Sequence, residues 1–424
     1  MARDVDTQHR TCCALNRGSR SSHQPAVRPG GYAHRVTARS ATRFDVAVIG
    51  AGPAGCSAAI AAVQQGASVV LLERHPLPRY KVCGGGLIGL SLAALPEGFR
   101  IPVRARVDQT RLTRRLGSER IRSSSSALFQ LVMRDEFDAA LAEHAAQLGA
   151  DLRPGVQVDH LEVSGTSARV TTNRGVIEAT AVVGADGSAS RIARQVGASY
   201  DQVDLGLEAE IDVPPPVAAA WRDTALLDFA SMRGGYAWVF PKGDRLTVGC
   251  IAARGRSDEQ RAYLERFIDT LGLTSYPRAR NGGHLTRCRA ASSPLGAGMV
   301  LLAGDAAGLL EPWTREGISF ALRSGALAGE SAVALARNPR DADRHQSIYA
   351  QRIHAQLGRE MALGRQALRA YEHHPGTFHR VLGRTGIGWH SFERLCRGET
   401  TLAQAGDRLL VRSALRVLGS SPSR

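Results

Sequence analysis

The chain has 424 residues, 43% of them hydrophobic, and a formal net charge of +15. This length allows two interleaved domains with substantial cores. No run of 18 or more apolar residues free of glycine clusters occurs, which argues against a transmembrane helix. The positive charge is concentrated in residues 1–43 and 340–424 and favours an Arg-rich solvated surface over a nucleic-acid site.

The seven cysteines are scattered, apart from the adjacent Cys12 and Cys13, and lack metal-ligand spacing. They predict a reducing, cytoplasmic compartment and no metal site. Residues 1–43 are rich in Arg, Ser, His and Gly and lack the apolar core of a secretory signal. We expect them to form a disordered N-terminal extension. An Arg-rich transit peptide and an upstream start codon are the alternatives.

Residues 44–73 predict a strand, a glycine turn, a helix and a second strand in immediate succession. The first strand is an unbroken apolar run, typical of burial on both faces of a parallel sheet. Gly50, Gly52 and Gly55 then form GxGxxG, which permits a sharp turn, close approach of a pyrophosphate and tight helix packing. Glu73 ends the second strand, where a carboxylate binds the hydroxyls of an adenosine ribose. The stretch therefore predicts a dinucleotide site.

The chain after Glu73 first predicts a loop, since two prolines end regular structure and Gly84, Gly85 and Gly86 follow. Such a loop lies near a ligand or a hinge. Residues 100–125 alternate and carry many Arg residues, which predicts exposed strands. The stretch 131–148 has apolar residues at helical spacing and predicts a helix.

Two later apolar runs, at 181–187 and 299–312, again predict buried strands that end in glycine and aspartate, each followed by a helix. Residues 205–251 predict a separate antiparallel sheet. The fold class is α/β, a Rossmann-type dinucleotide-binding domain interleaved with an antiparallel β-sheet substrate domain, plus C-terminal helices. The predicted boundaries are 44–340 for the first domain (segments 44–99, 126–200 and 285–340), 100–125 and 201–284 for the substrate domain, and 341–424 for the helical region.

The motifs GAGPAG, GADGS and AGDAAG at the three strand ends resemble those of the para-hydroxybenzoate-hydroxylase-like flavoproteins over residues 44 to about 336. The resemblance implies FAD in the first site. It implies that Arg134, in the pattern RxxFDxxL, approaches the FAD phosphates or ribityl chain, and that Asp305 accepts a ribityl hydroxyl. The helix beginning near Gly317 would point its N-terminus at the flavin ring. The alternative role for each strand-end aspartate is a turn or cap residue. The implied cofactor-binding residues are Gly50, Gly52, Pro53, Ala54, Gly55, Glu73, Arg74, Arg134, Asp186, Gly187, Asp305, Gly317 and Ile318.

Within this superfamily, KVCGGGL at 81–87 and YAWVFPKGDRLTVGC at 236–250 look like the geranylgeranyl reductase family, although Ile251 stands where the family pattern has a final glycine. Tyr236, Trp238 and Phe240 alternate on one face of a strand and form an aromatic wall suited to an isoprenoid chain. The alternative is a core stripe of the sheet. The resemblance implies an FAD-dependent oxidoreductase that reduces C=C bonds of a geranylgeranyl-type chain on a lipid, a quinone or a diphosphate.

Other readings of the same scaffold are an aromatic monooxygenase, a halogenase and a flavin-holding protein without activity. Halogenases carry WxWxIP in a comparable place, which Tyr236 and Phe240 break, and aromatic hydroxylases lack the CGGG loop. Cys83 is the candidate catalytic acid, because an unactivated alkene accepts hydride only if its other carbon is protonated. Its alternative role is a small packing residue. The electron donor is NADPH or a reduced carrier protein.

A prenyl-lipid substrate resides in a bilayer, so we expect peripheral membrane contact and no nucleic-acid partner. The stretch 407–418 combines a stripe of Arg408, Arg412 and Arg416 with a broad apolar face, as helices on anionic membrane surfaces do. The alternative is that this apolar face packs on the body of the protein.

Overall fold

The computed structural model describes residues 42–407, and the structural statements below concern those residues. The stretches predicted at 1–43 and 407–418 lie outside them, apart from their inner ends. The strands are β1 (Thr42–Ile49), β2 (Val69–Glu73), β3 (Gly86–Leu87), β4 (Val103–Val107), β5 (Gln109–Arg114), β6 (Gly117–Ser123), β7 (Phe129–Val132), β8 (Asp151–Pro154), β9 (Val158–Ser164), β10 (Ser167–Thr172), β11 (Gly175–Gly184), β12 (Tyr200–Asp212), β13 (Thr224–Phe229), β14 (Tyr236–Pro241), β15 (Arg245–Ala253), β16 (Arg278–Arg289), β17 (Gly296–Ala297) and β18 (Val300–Leu302).

The α-helices include the three predicted after strand ends and a C-terminal group. They are α1 (Pro53–Gln64), α2 (Arg134–Gln147), α3 (Arg191–Val196), α4 (Pro215–Trp221), α5 (Ser257–Thr270), α6 (Ile318–Arg337), α7 (Ala342–Ile353), α8 (Arg359–His373), α9 (Pro375–Arg384), α10 (Gly386–Cys396) and α11 (Leu402–Ala405).

Strand β1 lies inside an eight-stranded sheet with the order β17-β18-β11-β1-β2-β8, to which β10 and β9 are added beside β11. Strands β18, β11, β1, β2 and β8 are parallel. Val46, Ala47 and Val48 are fully buried, as the apolar run predicts. The Rossmann-type half of the predicted fold class is confirmed.

Helix α6 packs directly on α1 beside this sheet. At Gly325 an added Cβ would lie 2.2 Å from the Ala54 carbonyl oxygen, so only glycine permits this contact. Ser57 Oγ donates a hydrogen bond to the Leu322 carbonyl at 2.7 Å. Gly304, just after β18, lies close to Ala54 as well, with 2.8 Å between its Cβ position and the Ala54 methyl group. The end of β18 and helix α6 therefore both lie close to the start of α1.

A second, seven-stranded sheet has the order β16-β12-β15-β14-β13-β5-β6. Its neighbouring strands are antiparallel, as predicted, except for β5 and β13, which are parallel. These two strands lie far apart in the chain, so no hairpin imposes an antiparallel pairing. Strand β5 is also more buried than the exposed strand we predicted. Leu112 is fully buried, and its carbonyl oxygen lies 3.2 Å from His379 Nε2 of α9.

A third sheet has three strands in the order β3-β7-β4. Leu131 and Val132, which we placed at the start of a helix, belong to β7 instead, and α2 begins at Arg134. The reason is tertiary: the Val132 N–H donates to the Gly85 carbonyl at 3.0 Å, which pairs β7 with the glycine loop. Residues 342–405 form the expected C-terminal helices.

Candidate functional site

The turn between β1 and α1 has the geometry of a pyrophosphate cradle. Gly50 has φ +105°, and its Cβ position lies 2.4 Å from the Ala185 carbonyl oxygen. At Gly55 an added Cβ would lie 1.8 Å from the Gly50 oxygen, so the helix packs tightly on the turn. Above Gly52 the nearest atom is Arg79 Nη2 at 3.8 Å. Within residues 42–407 no side chain caps the first N–H groups of α1, which begins with Pro53 and Ala54. These N–H groups remain available to an anion.

Glu73, predicted to bind ribose, lies beside this turn with its carboxylate almost fully buried. Its Oε2 accepts from the Ala51 N–H at 3.1 Å and pairs with Arg79 Nε at 3.0 Å, while Oε1 accepts from the His75 N–H. The side chain of Arg74 is exposed at the end of β2. Through its bond to the Ala51 N–H, Glu73 therefore fixes the shape of the turn between β1 and α1.

Arg134 opens α2 and lies almost completely buried. Its guanidinium makes a bidentate pair with Asp138, at 2.8 and 2.9 Å, and Asp138 also accepts from Arg79 at 3.0 Å. Burial disfavours the charged form of Arg134, but the Asp138 carboxylate outweighs it and raises the pKa of the guanidinium. One carboxylate thus holds two permanent cations next to the cradle.

The other predicted strand-end residues meet at the carboxyl edge of the parallel sheet. Asp186 accepts hydrogen bonds from the Ser190 hydroxyl and from the Arg191 N–H at 2.8 Å, so its side chain is used in the turn that leads into α3. Gly187 has φ +82° and open space at its Cβ position. The Cβ position of Gly317, which precedes Ile318 and the first turn of α6, lies 3.6 Å from Asp305 Oδ1.

His284 of β16, which we had not predicted, meets polar groups from three other segments at this edge. Its Nε2 lies 3.2 Å from Lys81 Nζ, 3.3 Å from Ser188 Oγ and 3.7 Å from Asp305 Oδ2. Burial lowers the pKa of His284, and the charge of Lys81 lowers it further. Burial acts to raise the pKa of Asp305, but its bond to His284 and the Lys81 charge outweigh this and lower it to about 2.

The loop at 81–87 lies between the aromatic wall and β7. At Gly84 an added Cβ would lie 2.9 Å from Phe240 Cε2 and 3.2 Å from Trp238 Nε1. Gly85 has φ +68°, and its Cβ position lies 2.1 Å from the Val132 carbonyl oxygen. Cys83 is half-buried, whereas the other cysteines within 42–407 are buried, and its Sγ accepts from the Gly85 N–H at 3.4 Å. The successive glycines therefore permit a close contact between this loop and the wall.

Tyr236, Trp238 and Phe240 lie in sequence along β14. Their ring centroids are 5.9 Å apart for Tyr236 and Trp238 and 6.3 Å apart for Trp238 and Phe240. Trp238 is 7% exposed, and its Nε1 has no hydrogen-bond acceptor within residues 42–407. Ile251, the departure from the family pattern, is buried in the same apolar cluster. Trp238 of the wall thus belongs to the hydrophobic core, whereas the rings of Tyr236 and Phe240 are more accessible.

Comparison with known proteins identifies the family. The model of the FAD binding domain family matches residues 43–354. The digeranylgeranylglycerophospholipid reductase 2 of Methanothermobacter thermautotrophicus is 32% identical over 343 residues, which cover 75% of this chain and 85% of that protein. The chain belongs to the geranylgeranyl reductase family. As a member of this family, it is an FAD-dependent oxidoreductase.

One further relative and two solved structures show how far the similarity extends. The menaquinone reductase of Mycolicibacterium smegmatis is 30% identical over 312 residues, 68% of this chain and 76% of that protein. A geranylgeranyl bacteriochlorophyll reductase-like structure from Thermoplasma acidophilum matches with a TM-score of 0.71 and 21% identity over 86% of this chain and 99% of that chain. A flavin-dependent brominase reaches 0.67 with 18% identity over 89% and 100%. Fold alone therefore does not separate reductases from halogenases.

The residues of this reductase-family chain fit FAD. The first N–H groups of α1 and the Arg79 guanidinium near Gly52 suit a pyrophosphate, and Asp305 lies beside the start of α6. Within residues 42–407 no cluster of His, Cys, Asp and Glu is placed to hold a metal ion. Over the same range, no helix has the length and apolar character that crossing a membrane requires.

Sequence reasoning missed several polar residues of this site: Arg79, His284, Glu208 and Lys242. Arg79 follows two prolines in an irregular loop, where no periodicity marks it. His284 and Glu208 lie on strands more than a hundred residues from the loop they contact. One available signal was composition, because Lys81 and Lys242 are the only lysines in an Arg-rich chain and both belong to the site.

Proposed function

We propose that this protein reduces C=C bonds in a geranylgeranyl-type isoprenoid chain carried by a lipid, a quinone or a diphosphate. The observation that supports this most is the contact between residues 81–87, here called the Cys83 loop, and the aromatic wall, in which Gly84 lies directly against Trp238 and Phe240. Such a wall suits a long hydrocarbon chain. Among the relatives, the phospholipid reductase and the menaquinone reductase are named for a lipid and a quinone.

Each reduced double bond gains a hydride and a proton. FAD, once bound and reduced, would supply the hydride. We assign the proton to the Cys83 thiol, a half-buried acid that precedes Gly84 in the loop packed on the wall.

We further propose that NADPH or a reduced carrier protein restores the electrons. A substrate held in a bilayer also requires peripheral contact with the membrane surface. The stretch at 407–418 is our candidate for this contact, and its described residue, Asp407, pairs with Arg359 of α8. The arginine stripe and apolar face of this stretch support the proposal.

The reaction is tested by incubating dithionite-reduced holoprotein anaerobically with geranylgeranyl diphosphate, and separately with a geranylgeranylated glycerolipid and menaquinone. We expect the isoprenoid chain of the product to gain two hydrogens for each reduced double bond in at least one substrate class. Incorporation of one oxygen atom, only when air is admitted, would establish a monooxygenase instead. Halide-dependent incorporation of bromine or chlorine would establish a halogenase.

A further inference from the structure

A row of four paired residues crosses the seven-stranded sheet at the aromatic wall. Trp238 pairs with Gly249, Gly249 with Glu208, and Glu208 with Gly282. Directly paired residues point to the same face of a sheet, so Glu208 lies on the face that bears Trp238. The two glycines leave space for their neighbours: Trp238 covers Gly249, and Val82 of the Cys83 loop covers Gly282.

Glu208 connects this row to the Cys83 loop. Its Oε1 accepts hydrogen bonds from the Tyr80 hydroxyl and from the Cys83 N–H, each at 3.1 Å. The side chain is 1% exposed, and its Oε2 has no hydrogen-bond partner in the described part of the chain. A buried carboxyl group of the seven-stranded sheet therefore holds the backbone of the candidate acid.

The surroundings of Glu208 favour its neutral form. Burial raises the pKa of Glu208 to about 7, and the charge of Glu210 adds to this, against the opposing effects of Lys242 and the two hydrogen bonds. Glu210 is equally buried and accepts from the Thr247 hydroxyl at 3.0 Å. A neutral Glu208 avoids leaving an unpaired negative charge on the buried Oε2.

The opposite side of the loop is held by β7. The Val132 N–H donates to the Gly85 carbonyl at 3.0 Å, and Lys242 Nζ donates to the Val132 carbonyl at 2.8 Å. Lys242 is itself 1% exposed. The loop is thus held at two points: β7 binds the backbone of Gly85, and Glu208 binds the backbone of Cys83.

We propose that Glu208 is a positioning residue for alkene reduction: its carboxyl group holds Cys83 at the aromatic wall so that the thiol meets the bound chain. Glu208 acts through Cys83 and does not itself react. The effect of Glu208 on alkene reduction rests on the proposed function. Its effect on the position of Cys83 can be measured without any substrate.

The test compares E208L and E208M, which lack the acceptor, with E208Q, which keeps an acceptor oxygen. E210Q is the matched control, because it removes a neighbouring buried carboxylate that, among the described residues, accepts a hydrogen bond from Thr247 and none from the loop. All are prepared as FAD-bound holoproteins. Three quantities are measured: deuterium exchange in the peptide that contains Cys83, the rate of Cys83 alkylation by iodoacetamide, and the single-turnover rate with the prenyl substrate after dithionite reduction.

We expect E208L and E208M to raise exchange and alkylation about tenfold and to slow single turnover by a similar factor, since two buried hydrogen bonds are lost. FAD content and flavin absorbance should not change. E208Q should stay within about threefold of the wild type, because its amide oxygen replaces Oε1. E210Q should match the wild type in Cys83 exchange and alkylation.

Wild-type exchange and alkylation of Cys83 in both E208L and E208M would overturn the inference, whatever their activity. So would E208Q that is as slow as E208L while its Cys83 stays protected, because the effect would then follow the ionisable group and not the position. A wild-type protein that reduces no prenyl substrate would defeat the proposed function alone, and the two Cys83 measurements would still decide the role of Glu208.

Discussion

Gly52 offers a substitution that separates cofactor affinity from folding. Gly52 is the N-cap of α1, with φ −85° and ψ −177°, values open to any residue. Among the described residues, the nearest atom to its Cβ position is Arg79 Nη2 at 3.8 Å. Gly52→Asp therefore introduces a capping acceptor without a steric clash. Because Asp is preferred to Gly at this position by a few tenths of a kcal/mol, we expect the apoprotein to be at least as stable as the wild type.

The same carboxylate would lie where the cradle receives the pyrophosphate. Two unit charges about 4 Å apart repel by about 4 kcal/mol at an effective dielectric constant of about 20. This corresponds to a loss of about a thousandfold in FAD affinity. Gly52→Asn is the matched control, because it has the same shape and capping ability without the charge. Purified G52D should be colourless, whereas G52N should remain yellow.

The assay has two parts: titration of apoprotein with FAD, followed by flavin fluorescence, and urea unfolding of the apoprotein, followed by circular dichroism. G52D that binds FAD as tightly as G52N would refute the assignment of the cradle. G52D that unfolds at clearly lower urea than the wild type would refute the capping argument, since the lost colour would then reflect damage to the fold.

Three further predictions concern other parts of the site. Cys83→Ala should retain FAD and lower single-turnover alkene reduction by roughly 10²-fold or more, the usual contribution of a general acid; undiminished turnover would remove the thiol from the mechanism. The pKa of Asp305, lowered to about 2, lies below its unfolded value, so its stabilisation is present above about pH 4 and is lost as the pH falls toward 2. The free energy of unfolding, measured with urea, should fall by roughly 2 kcal/mol over this pH range in the wild type and by less in Asp305→Asn. An equally large fall in the variant would contradict this prediction. Deleting residues 408–424 should abolish co-sedimentation with anionic vesicles at low salt, and undiminished binding would place the membrane contact elsewhere.

Local sequence signals predicted the parts of the fold that are built locally. The unit at 44–73 contains strand, turn and helix in sequence, and its glycines occupy the positions that their spacing predicts. The start of the helix at 131–148 was wrong by three residues, because Leu131 and Val132 pair with the glycine loop. The parallel pairing of β5 with β13 has no local signal, since alternation indicates a strand but not its neighbour.

The candidate site was predictable only in part for the same reason. Motif spacing located the glycine turn, Asp305 and the aromatic wall, since each lies within a short stretch. Glu208 reaches Cys83 across 125 residues, and His284 reaches Lys81 across 203, so only the pairing of distant segments brings these side chains together. The sequence also could not distinguish roles: Asp186 lies at a motif position, yet its carboxylate is bonded to the turn into α3.

The central claim is that a prenyl chain takes electrons directly at this site, and the most direct measurement is anaerobic stopped-flow absorbance of the holoprotein. The yellow flavin band is first bleached with one equivalent of dithionite, and the geranylgeranyl substrate is then added without oxygen. We predict that the band returns with the substrate, at one flavin oxidised for each double bond reduced. A band that stays bleached with every prenyl substrate class, and returns only when oxygen is admitted, would contradict the account.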